Sequence, residues 1–199
     1  MTVDPVMAGI IDRHPRLALA SRGDAFATLA RSIVGQQISV RAADAVWGRV
    51  AACCDPLQPK VVLRKRVPTL RACGLSARKV EYLRDLADHF RSGRIDPAHL
   101  PALDDAAVIT RLTEVHGIGR WTAEMFLIFN LLRPDVLPLD DLGLLKAVGQ
   151  HYLGGTPAEQ LLRGAGRERV AAVATAWAPW RSVATWYLWR SLDPVPVVY

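Results

Sequence analysis

Two short stretches of this 199-residue chain carry residue types able to grip a phosphate and to stabilise charge on the sugar beside it. The first is Val115-His116-Gly117-Ile118-Gly119-Arg120-Trp121-Thr122-Ala123. The second, after an apolar helical run, is Pro138-Leu139-Asp140-Asp141. Glycines on either side of Ile118 let the backbone turn where a Cβ would clash. They leave N–H groups pointing outward at the start of the next helix, a geometry that suits a phosphate. The acidic pair follows about one helix later, where a carboxylate can oppose positive charge developing on the adjoining sugar. The combination points to chemistry on nucleic acid. Plainer alternatives exist for both: a tight turn between packed helices for the glycines, and an N-cap for a helix beginning at Leu142 for Asp140 or Asp141. The cap and the catalyst are compatible roles for one carboxylate. His116 reads as a turn residue with no catalytic role.

Two further clusters could contribute. In Ile33-Val34-Gly35-Gln36-Gln37-Ile38-Ser39, two amides lie between apolar stretches, and Ser39 can cap the helix that follows. Gln36 and Gln37 either satisfy loop backbone or enter a nucleic-acid groove in place of an extruded nucleotide. Near the C-terminus Trp177, Trp180, Trp186, Tyr187 and Trp189 crowd together. Most of these must be core, but one or two could wall a pocket for a flat base, with Trp121 arriving from the hairpin helix. The basic runs at Arg64-Lys65-Arg66 and from Arg163 to Arg169 read as solvated faces.

The elements that must position these residues are helical. Phe26, Leu29, Ala30, Ile33 and Val34 recur at three- and four-residue steps, as do Val80, Leu83, Leu86, Ala87 and Phe90. Clean two-residue alternation is scarce, and Val61-Val62-Leu63 is too short to separate from a helix turn. The pattern predicts an all-α protein of about ten helices, near 5–20, 24–34, 39–53, 77–92, 104–113, 119–132, 140–152, 157–164, 167–177 and 180–191. With 51% hydrophobic residues the chain can build one substantial core or two small lobes, and disorder is not expected. A formal charge of +6 favours a polyanionic partner. Cys53, Cys54 and Cys73 show no metal-ligand spacing, and their odd number fits a reducing compartment. The N-terminal stretch is interrupted by charge, so neither a signal peptide nor a membrane span is expected, and a cytoplasmic location is.

Four segments taken in order resemble one family: Gly35 to Ser39, Val115 to Ala123, Leu137 to Gly143, and Trp177 to Ala184. They look like the motifs of the 3-methyladenine DNA glycosylase II branch of the helix-hairpin-helix glycosylase superfamily, over roughly residues 20–192. The resemblance implies the helix-hairpin-helix glycosylase fold, two helical lobes flanking a cleft. It also implies a single unit over 1–199, with its hairpin near 112–124 and no N-terminal β-rich domain. By position it makes Asp141 the catalytic aspartate and Asp140 a variable neighbour. Trp121 and Trp189 fall at base-pocket positions, and Gln37 at the position of the wedge inserted into the duplex. Gln36, Ser39, Gly117, Gly119, Arg120 and Thr122 are implied DNA contacts, and the Val115 backbone an implied ligand of a structural monovalent cation.

The implied activity is hydrolysis of the N-glycosidic bond of alkylated bases such as 3-methyladenine and 7-methylguanine in double-stranded DNA. A monomer that leaves an abasic site is expected. Trp121 replaces the lysine of lyase-competent relatives, so strand cleavage is not expected. Three cysteines cannot supply a four-thiolate iron–sulfur site, so no cofactor is expected beyond that cation. The alternatives are a glycosylase for mismatched or oxidised bases on the same scaffold, and a non-catalytic hairpin module that only grips duplex DNA.

Overall fold

The computed structural model of the chain describes residues 4–15 and 19–192. Among these residues there are twelve α-helices, two 3₁₀ turns and no strand, as the helical periodicity predicts. They divide into two compact units, one of residues 22–131 and one of residues 132–192 with the N-terminal segment before residue 22.

In the first unit, α2 (Ala25–Gly35) is capped by Asp24, whose carboxylate accepts the Ala27 N–H at 2.7 Å. It buries Phe26, Leu29, Ala30, Ile33 and Val34, the stripe expected of an amphipathic helix. That stripe packs against α3 (Val40–Cys53), α6 (Ala77–Arg91) and α8 (Arg120–Phe129). The ring of Phe26 meets Phe90 of α6 edge to face, with centroids 5.3 Å apart. In α8 every residue from Thr122 to Phe129 is buried, so this helix is the centre of the unit. Preceding it is α7 (Asp105–Thr113), which lies alongside.

Two helices here escape the sequence pattern, α4 (Pro59–Arg64) and α5 (Val67–Ala72). At six residues each they are too short to show a period, and each has a proline in its first turn, where the missing N–H costs nothing. Their stability is tertiary. Arg84 of α6 reaches the end of α4 and donates to the carbonyls of Leu63 (3.1 Å) and Lys65 (2.9 Å). The helix expected over 119–132 stops at Phe129, where the Asn130 side chain turns away to donate to the Gly23 carbonyl at 2.9 Å.

The second unit is built around α9 (Leu142–Tyr152), which packs on α12 (Arg181–Leu192), α10 (Ala158–Leu161) and α11 (Gly164–Ala174). Its core joins Leu144, Leu145, Val148, Leu161, Val170 and Leu188. The expected break in the 157–177 region falls at Leu162-Arg163, ahead of Gly164, and α11 runs on through Gly166. The first helix, α1 (Pro5–Arg13), adds Met7 and Ile10 to this core. It ends well short of residue 20 because His14 precedes Pro15, and a residue before proline is disfavoured in helical conformation. Residues 16–18 of that expected helix lie outside the described residues.

Asp4 ties α1 to the unit. Its Oδ1 accepts the Val6 and Met7 N–H groups, while Oδ2 accepts the Tyr152 hydroxyl at 2.8 Å and the Trp177 indole N–H at 3.2 Å. Burial works to raise the Asp4 pKa, but the bonds from Met7, Tyr152, Trp177 and Val6 outweigh it and the net direction is down. A carboxylate depressed on folding adds stability above its unfolded pKa and loses it as pH falls through the folded value. Asp4→Ala should therefore cost about 1–2 kcal/mol at neutral pH, through the lost cap and the two side-chain bonds. In urea denaturation the gap to the parent protein should narrow as pH drops below the ordinary aspartate range. A gap that widens in acid would contradict this assignment.

Candidate active site

In the second unit the acidic pair separates into two environments. Asp140 is partly exposed and forms an ion pair with Arg167 of α11. Asp141 is 7% exposed and is the N-cap of α9. Its Oδ1 accepts two donors: the Leu144 N–H at 2.6 Å, and the indole N–H of Trp189 at 2.7 Å, from α12. The cap expected for Asp140 or Asp141 is thus Asp141. Trp189 also acquires a role that spacing could not show, fixing the rotamer of the carboxylate by direct hydrogen bond.

Gly143 leaves room beside that contact. A Cβ there would lie 3.0 Å from Trp189 Cδ1 and 3.1 Å from Asp141 Oδ1, so a side chain would require the indole or the carboxylate to shift.

Arg181 and Ser182 secure the approach to Asp141 from the other end of α12. The Arg181 guanidinium grips Asp135 with two bonds of 2.7 Å, and its backbone N–H adds a third at 3.2 Å. The guanidinium's hydrogen bonds hold the Asp135 carboxyl below its ordinary range, and Asp135 in turn raises Arg181. Beside it the Ser182 N–H donates to the Pro134 carbonyl and its hydroxyl accepts the Val136 N–H, both at 2.9 Å. One helix therefore pins residues 134–136 at its start and reaches Asp141 two turns later through Trp189. Of the other aromatics of this stretch, Trp177 and Trp186 are buried in the core and Trp180 is 58% exposed.

In the first unit the glycine hairpin joins α7 to α8. The Ile118 N–H closes the turn on the Val115 carbonyl at 3.0 Å, and Gly117 has φ +83°, in the left-handed region. Gly119 is the N-cap of α8 and no side chain caps this helix end, so the first N–H groups of α8 lack intrahelical partners. Arg120 donates Nε to the buried Glu124 at 2.8 Å while most of its side chain is exposed. The side chain of Thr122 is buried. Gln36 donates its amide to the Gly117 carbonyl at 2.8 Å, Gln37 is exposed with φ +59°, and Ser39 caps α3 through the Ala42 N–H at 3.3 Å.

Next to these groups the same unit encloses a cavity of about 380 Å³. Trp121, Met125 and Phe126 of α8 form an apolar wall, and Arg31 of α2 with Gln37 and Ile38 of the α2–α3 loop also line it. Arg31 is neutralised by Asp44 of α3 at 2.8 Å.

Residues 30–172 match the family described as HhH-GPD superfamily base excision DNA repair protein. The chain belongs to that superfamily. Within the matched span lie the hairpin, the glutamine loop and Asp141. This HhH-GPD protein is 36% identical over 167 residues to DNA-3-methyladenine glycosylase 1 of Schizosaccharomyces pombe, covering 82% of the chain and 70% of the relative. With DNA-3-methyladenine glycosylase 2 of Escherichia coli it shares 32% over 188 residues, covering 88% of the chain and 61% of the relative. Among solved structures, the DNA-3-methyladenine glycosidase of Bacillus halodurans superposes with a TM-score of 0.84 at 36% identity, over 96% of this chain and 85% of the other. The Schizosaccharomyces pombe 3-methyladenine DNA glycosylase in complex with abasic DNA gives 0.80 at 29% identity, over 98% and 96%. Among the described residues no helix is long and apolar enough to cross a membrane, and no His, Cys, Asp or Glu cluster could hold a metal ion.

The N-cap role of Asp141 separates shape from charge. Asp141→Asn keeps a capping oxygen and should leave the urea midpoint nearly unchanged, whereas Asp141→Ala should cost about 1 kcal/mol. Equal losses in both variants would mean that the negative charge at the helix N-terminus, and not the capping oxygen, stabilises α9.

Proposed function

We propose that this chain is a monofunctional DNA glycosylase that removes alkylated purines from duplex DNA in base excision repair, with Asp141 as its catalytic carboxylate. One observation carries the assignment: in a chain of the HhH-GPD superfamily, a nearly buried carboxylate is held at a helix N-terminus by a backbone N–H and the indole N–H of a second helix. An acid oriented this way opposes positive charge at a reacting centre without first having to reorganise.

The chemistry follows from the charge of the substrate. A purine methylated at N3 or N7 is cationic, so its glycosidic bond is already weak and the base departs without a strong general acid. The sugar passes through an oxocarbenium-like state, which the Asp141 carboxylate stabilises until water adds to C1′. Because no proton need be delivered to the leaving group, one carboxylate suffices. Trp121, in the first turn of α8, offers no amine for a Schiff base, so the product is an abasic site with the strand intact.

DNA is held through the hairpin. The outward N–H groups at Gly119 and the start of α8 suit a phosphate oxygen, with the exposed reach of Arg120 adding charge. The carbonyl of Val115 is a hard oxygen donor of the kind a monovalent cation takes, and such an ion would add positive charge at the phosphate. Gln37 is the residue assigned to fill the space that the extruded nucleotide vacates, a reading supported by its exposure in the left-handed conformation. The apolar wall formed by Trp121 and Met125 offers the extruded base a stacking surface, and an indole face favours a cationic base by about 0.5–2 kcal/mol.

The decisive experiment incubates the protein with randomly methylated DNA and identifies the released bases. Free 3-methyladenine and 7-methylguanine are expected, with strand breaks only after alkali. Asp141→Asn should lower the release rate at least about a hundredfold while leaving duplex affinity unchanged. Binding without any release by the parent protein would make the chain a grip-only module.

A further inference from the structure

One face of α6 touches both of the loops assigned to DNA. Lys79, Tyr82 and Asp85 are spaced three apart, so they line the same side of the helix. The Lys79 ammonium donates to the carbonyls of Val34 (2.7 Å) and Gln36 (2.6 Å), at the C-terminal end of α2. Helix carbonyls at that end lack intrahelical partners and carry the negative end of the dipole, so a cation there both satisfies and anchors them. One turn on, the Tyr82 ring lies against Gly117: a Cβ at residue 117 would fall 2.2 Å from Tyr82 Cδ2. A further turn on, the Asp85 carboxylate accepts the His116 N–H at 2.8 Å, with His116 Nδ1 at 3.2 Å. The two loops are also joined directly, by the amide of Gln36 on the Gly117 carbonyl.

We infer that Lys79, Tyr82 and Asp85 form a positioning rail that holds the glutamine loop and the phosphate hairpin in one register, so that strand grip and base extrusion act as a single rigid step. The inference rests on the glycosylase reading above and adds residues outside all four sequence motifs. Its physical basis is the conformation of Gln37. A non-glycine residue in the left-handed region is strained by an amount of order 1 kcal/mol, and such strain persists only where the surroundings over-determine it. Gln37 is exposed and cannot be held by packing of its own side chain. The constraint comes instead from the residue before it, whose carbonyl is bonded to Lys79 and whose amide is bonded to the hairpin. Burial lowers the Lys79 pKa, the direction expected for an amine drawn into the structure to make these bonds. None of the three residues has to touch the substrate.

A positioning rail has a signature that a general loss of fold lacks. It matters when the enzyme must open a base pair, and much less when the lesion is already unpaired, because extrusion then costs little. The test compares single-turnover release of 7-methylguanine by the full-length protein from two duplexes, one with the lesion opposite cytosine and one with it opposite a stable abasic analogue. Lys79→Met should slow release from the paired duplex about tenfold or more, and from the unpaired one less than about threefold. Lys79→Arg, which can still donate to both carbonyls, should recover most of the paired rate. Should Lys79→Met fail to fold by circular dichroism, Asp85→Ala cuts the rail at its other end and should give the same split. Equal slowing on both duplexes, or no slowing on either, would overturn the rail. A parent protein silent on both duplexes would instead overturn the glycosylase reading.

Discussion

In the proposed mechanism, catalysis depends on one carboxylate oxygen that receives two N–H donors. Oδ1 of Asp141 is bound by the Leu144 amide and the Trp189 indole, so the side chain has its rotamer set from its own helix and from a second helix at once. An electrostatic catalyst has to be in place before charge develops; one that swings into position spends part of its stabilisation on reorganisation. The second unit is organised around that requirement. Gly143 clears the space for the indole, Arg181 grips Asp135, and Ser182 fixes Pro134 and Val136, so that the chain enters Asp141 from a fixed point. The difference between Asp140 and Asp141 is environmental: neighbours in sequence and identical in chemistry, they end as a surface ion pair and a buried, oriented acid.

In the same proposal the first unit meets a different constraint, which is to present backbone to a polyanion without losing rigidity. Loops that expose N–H groups are ordinarily the mobile parts of a fold. Here the hairpin and the glutamine loop are tied to each other and to α6, with a cation, a ring and a carboxylate taking successive turns of that helix. Gly117 is required on two grounds, its positive φ and the Tyr82 ring against its Cα, so the glycine that makes the turn also lets the turn be clamped. The net charge of +6 favours a polyanionic partner.

Much of this was legible in the residues. The long helices follow from their apolar period, and α2, α3, α6, α7 and α9 begin at the capping residues Asp24, Ser39, Ser76, Asp104 and Asp141. The four motifs mark Asp141 and the hairpin, whereas Trp189 lies beyond them and its hydrogen bond to Asp141 could not be read from its position. What escaped was short or held from a distance. The six-residue helices α4 and α5 have no period to display, and α4 is closed by an arginine twenty residues further along. Lys79, Tyr82 and Asp85 read as the ordinary polar and aromatic positions of an amphipathic helix, since nothing in their spacing names the loops they contact.

The sequence by itself determined the helical class, the turn at Gly117-Ile118-Gly119, that one acid of the Asp140-Asp141 pair caps α9, and the sign of the charge, because each depends on the chemistry of a residue and a few neighbours. Tertiary structure alone decided which donor completes Asp141, which glycine is there for clearance, and what holds Gln37 in its conformation. Those outcomes are set by contacts between residues tens of positions apart. Such contacts exist only once the apolar faces have packed, and packing fixes distances that no local pattern encodes.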